Sequence, residues 1–248
     1  MSTYVFSDLH AQYGLWQQIK NYIKPDDIVF CLGDCVDRGP VGLEILYEVM
    51  ETPNITLLRG NHEDFIVSIG EKILKCESEE DVYWEYPDEI YIWKANGASN
   101  TIEAFKNLSR KEKEELINKI KKLPTWAIYG NKDNKFYLCH AGRQPQTTEH
   151  LITGRSAIIP MNNYIWDRNH ISDIAWRGEK NEFCVHGHTP VLAIDNYINR
   201  YEFLPEKTDE IYIYCNGHKI DIDLGSFITH RACLFNLDTF EPIYFEDK

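Results

Sequence analysis

An α/β fold built on parallel strands is what this 248-residue sequence predicts. Three observations carry that prediction. Short β-rich runs at residues 3–6, 28–32 and 55–58 each break into a polar loop, and the stretches between them space their apolar residues as helices do. The loops also recur at a nearly constant interval, Asp8 to Asp34 being 26 residues and Asp34 to Asn61 being 27. That interval suits one strand–helix–strand unit, whose crossover makes neighbouring strands parallel. Loops at the carboxyl ends of parallel strands share one edge, so polar residues far apart in sequence converge there.

Taken in order, the first strand at 3–6 opens into SDLHA, and Tyr13, Trp16, Ile19, Tyr22 and Ile23 mark the helix after it. The second strand at 28–32 opens into GDCVDRG, followed by a helix carrying Leu43, Leu46, Tyr47 and Met50. The third, at 55–58, opens into RGNHE. Residues 65–123 read as helical and surface-like, with Ser109 capping the run RKEKEELINKIKK and Pro124 stopping it. That charged run reads as a solvated helix face. Further β-rich runs lie at 127–129, 136–140, 183–186, 211–215, 219–223, 232–236 and 243–245, and Asn216-Gly217 marks a hairpin between two of them. With no Gly- or Ser-rich linker and no repeat of solenoid period, residues 1–248 are expected to form a single domain.

Composition narrows the function. With 26 Lys and Arg against 39 Asp and Glu, the net charge of −13 disfavours a nucleic-acid coat or an anionic-membrane anchor. The N-terminus MSTYVFSDLHAQYGLW has neither a basic leader nor a long apolar run, so no signal peptide or membrane span is expected there. The 7 cysteines are odd in number and include no Cys-x-x-Cys pair, which fits free thiols in a reducing cytoplasm. The sequons at Asn54 and Asn107 are then expected to go unused.

Five loops carry side chains able to hold a metal: Asp8 and His10; Asp34 and Asp37; Asn61 and His62; His140 in CHAG; and His186 and His188 in VHGHTP. An Asp-x-His pair is weak evidence, expected by chance in roughly one chain in four of this size. Gly-Asp-x-x-Asp-Arg-Gly is expected in about one chain in ten thousand. Carboxylate, imidazole and amide oxygen form a mixed ligand set suited to Mn²⁺, Fe²⁺ or Zn²⁺, and the lack of thiolates argues against structural zinc. Six candidate ligands oversupply one ion, whereas two ions sharing a carboxylate use them all. Asp34, in the central loop, is the natural bridge. His186 reads as a neighbour of the site, because the chain turns at Gly187; His150, His170, His218 and His230 read as ordinary histidines.

The blocks SDLHA, GDCVDRG, GNHE, CHAG, YIWDRNHIS, GHTP and IDIDLGS, spread over residues 3–237, resemble the phosphoprotein phosphatase family of binuclear metallophosphoesterases, notably its phage-lambda-type and bacterial serine/threonine members. The resemblance implies a four-layer fold in which two mixed β-sheets form a sandwich flanked by helices. It implies that Asp8 and His10 hold one divalent ion, that Asp34 bridges, and that Asn61, His140 and His188 hold the second. Mn²⁺ is the expected ion, with Fe or Zn as substitutes. Arg38 and Arg168 would bind phosphate oxygens, and His62, paired with Asp37, would protonate the leaving oxygen.

Physical chemistry asks for the same parts. Two cations bring the pKa of a shared water from 15.7 toward about 7 and so supply a hydroxide nucleophile. Guanidinium groups grip the equatorial oxygens bidentately. Protonating a serine or threonine alkoxide is worth roughly 10²- to 10⁴-fold. The expected activity is hydrolysis of phosphomonoesters, chiefly phosphoserine and phosphothreonine in proteins. The alternatives are a symmetrical diadenosine tetraphosphatase, a phosphodiesterase, and a catalytically dead scaffold. Ser7, Ala11, the NGASNT segment and Leu224 depart from the family's glycines and threonine and bear on pocket shape. Residues 193–214 are expected to form a partial lid or partner surface.

Overall fold

The computed structural model describes residues 1–78, 81–142, 162–172, 178–196 and 209–247. The strands among them form two five-stranded sheets. In the first, Thr3–Phe6 (β1) lies between Ile28–Cys31 (β2) and Arg231–Asn236 (β9), with Ile55–Leu57 (β3) and Pro242–Glu246 (β10) at the edges. In the second, the order is Trp126–Gly130 (β4), Lys135–Cys139 (β5), Glu182–His186 (β6), Lys219–Asp221 (β8) and Tyr212–Tyr214 (β7). Each sheet is mixed and holds a parallel trio: β1, β2 and β3 in one, β5, β6 and β8 in the other. The register Phe6↔Cys31↔Leu57 ends the first trio level, and His186↔Asp221 does the same across the second.

Alternation along the strands builds the layers. Val5 points into a core between the sheets with Phe30, Leu138, Val185, Ile220 and Phe235. Tyr4 and Phe6 point the opposite way and pack under the helices Tyr13–Tyr22 (α1) and Gly42–Glu51 (α2), through Leu15, Trp16, Ile45 and Leu46. On the far face of the second sheet, Cys139 and Cys184 pack with Tyr164 and Ile165 of the short helix Asn162–Ile165 (α8), which the short helix Asn169–Ser172 (α9) follows. Helix, sheet, sheet and helix are the expected four layers. Each large apolar side chain buried this way contributes about 1.5–3 kcal/mol.

Residues 65–123 differ from expectation. They hold five helices: Asn61–Lys75 (α3), Asp81–Glu85 (α4), Pro87–Ala95 (α5), Ser99–Lys106 (α6) and Arg110–Lys121 (α7). Rather than lying on the surface, α3 buries Phe65, Ile66, Val67, Ile69 and Ile73, and α5 and α6 bury Trp93 and Phe105. The charged face of each helix masks a continuous apolar stripe in the sequence. Gly70 brings α3 against α7 so closely that a Cβ there would lie 2.9 Å from Ile117 Cδ1. The Ser109 cap is present: its hydroxyl accepts the Glu112 N–H at 3.3 Å, and its own N–H donates to Glu112 Oε2 at 2.7 Å. The Asn216-Gly217 hairpin also forms, with both residues left-handed at φ +56° and +88°.

β8 stops at Asp221, two residues short of the expected end, because the Asp223 N–H turns back to Asp221 Oδ1 at 3.0 Å. All 7 cysteines are free. Among the described residues no helix is long and apolar enough to cross a membrane. Most of the expected lid, residues 197–208, lies outside the described residues, as does His150.

Candidate active site

The expected ligands meet where both parallel trios end, with Asp34 at the centre. Its Oδ2 lies 3.2 Å from His140 Nε2, 3.7 Å from His62 Nε2 and 3.8 Å from His10 Nε2. Asn61 Oδ1 lies 2.8 Å from both His140 Nε2 and His188 Nδ1, and those two nitrogens are 3.2 Å apart. Two clusters of metal-competent atoms result, His10–Asp34–His62 and Asp34–His140–His188, and Asp34 belongs to both. Asp8 stands slightly apart, its Oδ1 3.9 Å from His10 Nε2. Its carboxylate already accepts the Ser7 hydroxyl and, at 3.1 Å, the His188 N–H.

These residues fit a divalent cation pair on two counts. First, backbone carbonyls fix the rings: His10 Nδ1 donates to Val36 O at 3.0 Å and His140 Nδ1 to Leu32 O at 3.1 Å, so both Nε2 lone pairs point inward. Gaps of 3.8–3.9 Å from His10 Nε2 to Asp34 Oδ2 and Asp8 Oδ1 are too long for hydrogen bonds and suit an ion with bonds of about 2.1 Å. Second, the centre draws positive charge. Burial alone would push the Asp34 carboxyl up, yet His140, His62 and His10 hold it well below the carboxylate range. Burial would likewise lower His140, but Asp34 and Asp8 raise it to about 9.

His62 of the first cluster also belongs to a buried histidine–carboxylate pair. His62 Nδ1 donates to Asp37 Oδ2 at 2.6 Å, and Trp93 Nε1 donates to the same oxygen at 2.9 Å. Burial disfavours the imidazolium, but Asp34 and Asp37 outweigh it and raise His62. Its Nε2 lies 3.4 Å from Arg38 Nη2, within hydrogen-bonding distance. Arg168 follows α8; burial first, then the charges of His140 and Arg168, push His188 well down, and Trp166 packs edge-on to that ring at 6.3 Å. His186 turns away, its Nε2 2.8 Å from Tyr214 OH. His170 is buried edge-on to His186, His218 Nδ1 donates to Glu182 O, and His230 is exposed near Gln12.

Two residues that support the site, Glu63 and Asp223, lie within the blocks GNHE and IDIDLGS but are given no role by the sequence. Glu63, fully buried, accepts three backbone N–H groups: Asp34 and Gly60 on Oε2 at 2.8 and 3.0 Å, and Cys35 on Oε1 at 2.8 Å. Its sequence signal is a glutamate three residues after the helix-capping Gly60. Asp223 accepts the Gly225 N–H at 2.8 Å; burial first and Asp8 next push its carboxyl well up. Close approach is allowed by Gly60, where a Cβ would collide with Asp34 Oδ1 and sit 2.8 Å from Asp34 N. Gly187 plays the same part against Asp8 and Ser7.

A sandwich of two mixed sheets whose parallel edges converge buried imidazoles on one carboxylate defines a metal-binding hydrolase of the phosphoesterase class. The chain belongs to the calcineurin-like phosphoesterase family, whose profile matches residues 1–222. It is 27% identical over 150 residues to the symmetrical bis(5'-nucleosyl)-tetraphosphatase of Proteus mirabilis, covering 59% of this chain and 46% of that protein. It is 34% identical over 94 residues to a serine/threonine-protein phosphatase of Caenorhabditis elegans, covering 35% of this chain and 20% of that protein. The chain thus spans less than half the length of either relative. Among solved structures, one provisionally described as a diadenosine tetraphosphatase superposes with a TM-score of 0.61 at 13% identity, covering 98% of this chain and 92% of that one. That likeness concerns the fold.

Proposed function

We propose that the chain hydrolyses phosphoserine and phosphothreonine esters of proteins, and small phosphomonoesters less selectively, with Mn²⁺ as its working ion. The observation that carries this reading is the buried His62–Asp37 pair, 2.6 Å apart and braced by Trp93, beside Asp34. A serine or threonine alkoxide is a poor leaving group and requires a proton, which this unit holds at Nε2. In symmetrical cleavage of a dinucleoside tetraphosphate the leaving group is a nucleoside diphosphate, which departs more readily and needs a proton less.

Asp34, His140, Asn61 and His188 would hold one divalent ion and His10, Asp8 and Asp34 a second, and such ions would supply Lewis acidity; oxygen and imidazole donors together suit Mn²⁺. Arg38 and Arg168 grip phosphate oxygens. His62 hands its Nε2 proton to the departing oxygen, while Asp37 keeps the ring oriented through Nδ1. The net charge of −13 favours a protein or small-molecule substrate over nucleic acid or a membrane surface.

The similarity to the Proteus mirabilis enzyme, over 59% of this chain, supports a second reading: symmetrical cleavage of diadenosine tetraphosphate. One panel separates the two. The protein with Mn²⁺, Zn²⁺, Mg²⁺ or chelator is tested on phosphoserine, phosphothreonine and phosphotyrosine peptides, diadenosine tetraphosphate and a cyclic nucleotide. The highest kcat/KM on phosphoserine and phosphothreonine is expected with Mn²⁺. A higher kcat/KM on diadenosine tetraphosphate, with ADP as product, would overturn the first reading in favour of the second.

A further inference from the structure

Arg38 is held by an aromatic ring that the catalytic reading leaves unused. Phe227 lies on the short helix Ser226–Thr229 (α10), and Arg38 Cζ sits over its face, 4.1 Å from the ring centroid. On the backbone side, the Arg38 N–H donates to Gly97 O at 2.8 Å. A Cβ on Gly97 would lie 2.7 Å from Arg38 Cγ. The arginine is thus pinned between a glycine and an aromatic face. The same ring meets His10 edge-on, centroids 5.7 Å apart at 83°. α10 is fixed in turn by the Ser226 hydroxyl, which donates to Asp8 O.

What holds Arg38 matters as much as where it points. Among the described residues no carboxylate forms an ion pair with it. A carboxylate would compete with phosphate for the guanidinium, whereas an aromatic face orients the cation without neutralising its charge; Arg38 Nη2 lies 3.4 Å from His62 Nε2, which carries no negative charge. Arg38, Ala95, Asn96, Gly97 and Phe227 line a cleft of 260 Å³ next to the proposed phosphate site. Within that cleft, the Phe227 ring is the large surface against the guanidinium.

We propose that Phe227 is a positioning residue that orients the Arg38 guanidinium toward the substrate phosphate. The inference rests on the reading that Arg38 binds phosphate. The test measures KM for p-nitrophenyl phosphate and Ki for inorganic phosphate on the Mn²⁺-loaded chain. Phe227→Leu is expected to raise both by the same factor, about threefold to tenfold, while Phe227→Tyr stays within about twofold of the parent. Phe227 is only partly buried, and rescue by tyrosine separates the ring's effect from misfolding.

Inorganic phosphate has no leaving group, so a rise in KM without a rise in Ki would make Phe227 a wall of the cleft and overturn the proposal. In an Arg38→Met background, Phe227→Leu should change Ki no further; additive effects would also overturn it. Weaker phosphate binding in Arg38→Met but not in Phe227→Leu would sink this inference alone. Unchanged phosphate binding in Arg38→Met would sink the phosphate reading with it.

Discussion

Glu63→Gln is the sharpest test of how the loop around Asp34 is held. The carboxylate accepts from Asp34 and Gly60 on Oε2 and from Cys35 on Oε1. An amide has one acceptor oxygen, so glutamine can keep the two N–H groups on one side, and its NH₂ then faces the third. One buried donor is left against another donor, which costs about 1–3 kcal/mol, and the two retained bonds lose their charge assistance. The sum is about 2–4 kcal/mol. For a chain of 248 residues, that corresponds to a fall in Tm of about 4–8 °C. Asp34 is also left-handed at φ +57°, so a slackened loop should relax and loosen the cation site. Thermal melts of the chelated protein and Mn²⁺ titration calorimetry read the two effects. A melting point within about 1 °C of the parent, together with unchanged Mn²⁺ affinity, would refute the reasoning.

Four further outcomes follow from the same geometry. His62→Asn should lose roughly 10²- to 10⁴-fold in kcat on alkyl phosphates and far less on aryl phosphates with good leaving groups; equal losses would remove His62 as the proton donor. Gly60→Ala, whose new Cβ meets Asp34, should abolish tight Mn²⁺ binding, whereas Gly217→Ala, which meets nothing within 4 Å, should cost only about 1 kcal/mol of backbone strain. Glu48 accepts from Tyr13, Trp16 and Lys20, which bring its carboxyl down to about 2. A depressed carboxyl stabilises the fold above its unfolded value of about 4.5 and loses that contribution as pH falls toward 2; urea titrations should show about 1 kcal/mol of such loss in the parent and none in Glu48→Gln. Chelation should lower the Tm of both the parent and His62→Asn, because cation binding does not depend on turnover; a His62→Asn protein that melts alike with and without chelator would argue against the cation site.

Much of this arrangement was legible in the sequence, and the reason is local. SDLHA, GDCVDRG and GNHE announce themselves because each packs candidate ligands against a strand end within a few consecutive residues, and the parallel crossover then fixes where they meet. The cap at Ser109 and the turn at Asn216-Gly217 are legible for the same reason. Glu63 was overlooked although it sits beside His62, since its partners are backbone N–H groups 28 and 29 residues away, which no side-chain pattern reports. Phe227 carries no motif and acquires its neighbours only when α10 folds over Asp8. The buried face of α3 stayed hidden because a charged helix with an apolar stripe looks alike at the surface and in the middle of a layer.

Backbone conformation ties the legible and hidden parts together. Seven non-glycine residues around the site are left-handed: Asp8, His10, Ala11, Asp34, Asp37, Arg38 and His188. Each costs on the order of 1–2 kcal/mol, so the strain is concentrated where the ligands are. Loops in that state do not persist through propensity; they persist because buried groups hold them. Glu63 grips the Asp34 turn, Gly97 O holds Arg38, Ser226 holds the Asp8 carbonyl, and Asp8 itself accepts the His188 N–H. Ligand residues that a motif reveals therefore depend on anchors that only the assembled fold supplies. The proposed ligands would set the chemistry, while the anchors determine whether the loops keep the geometry that chemistry requires.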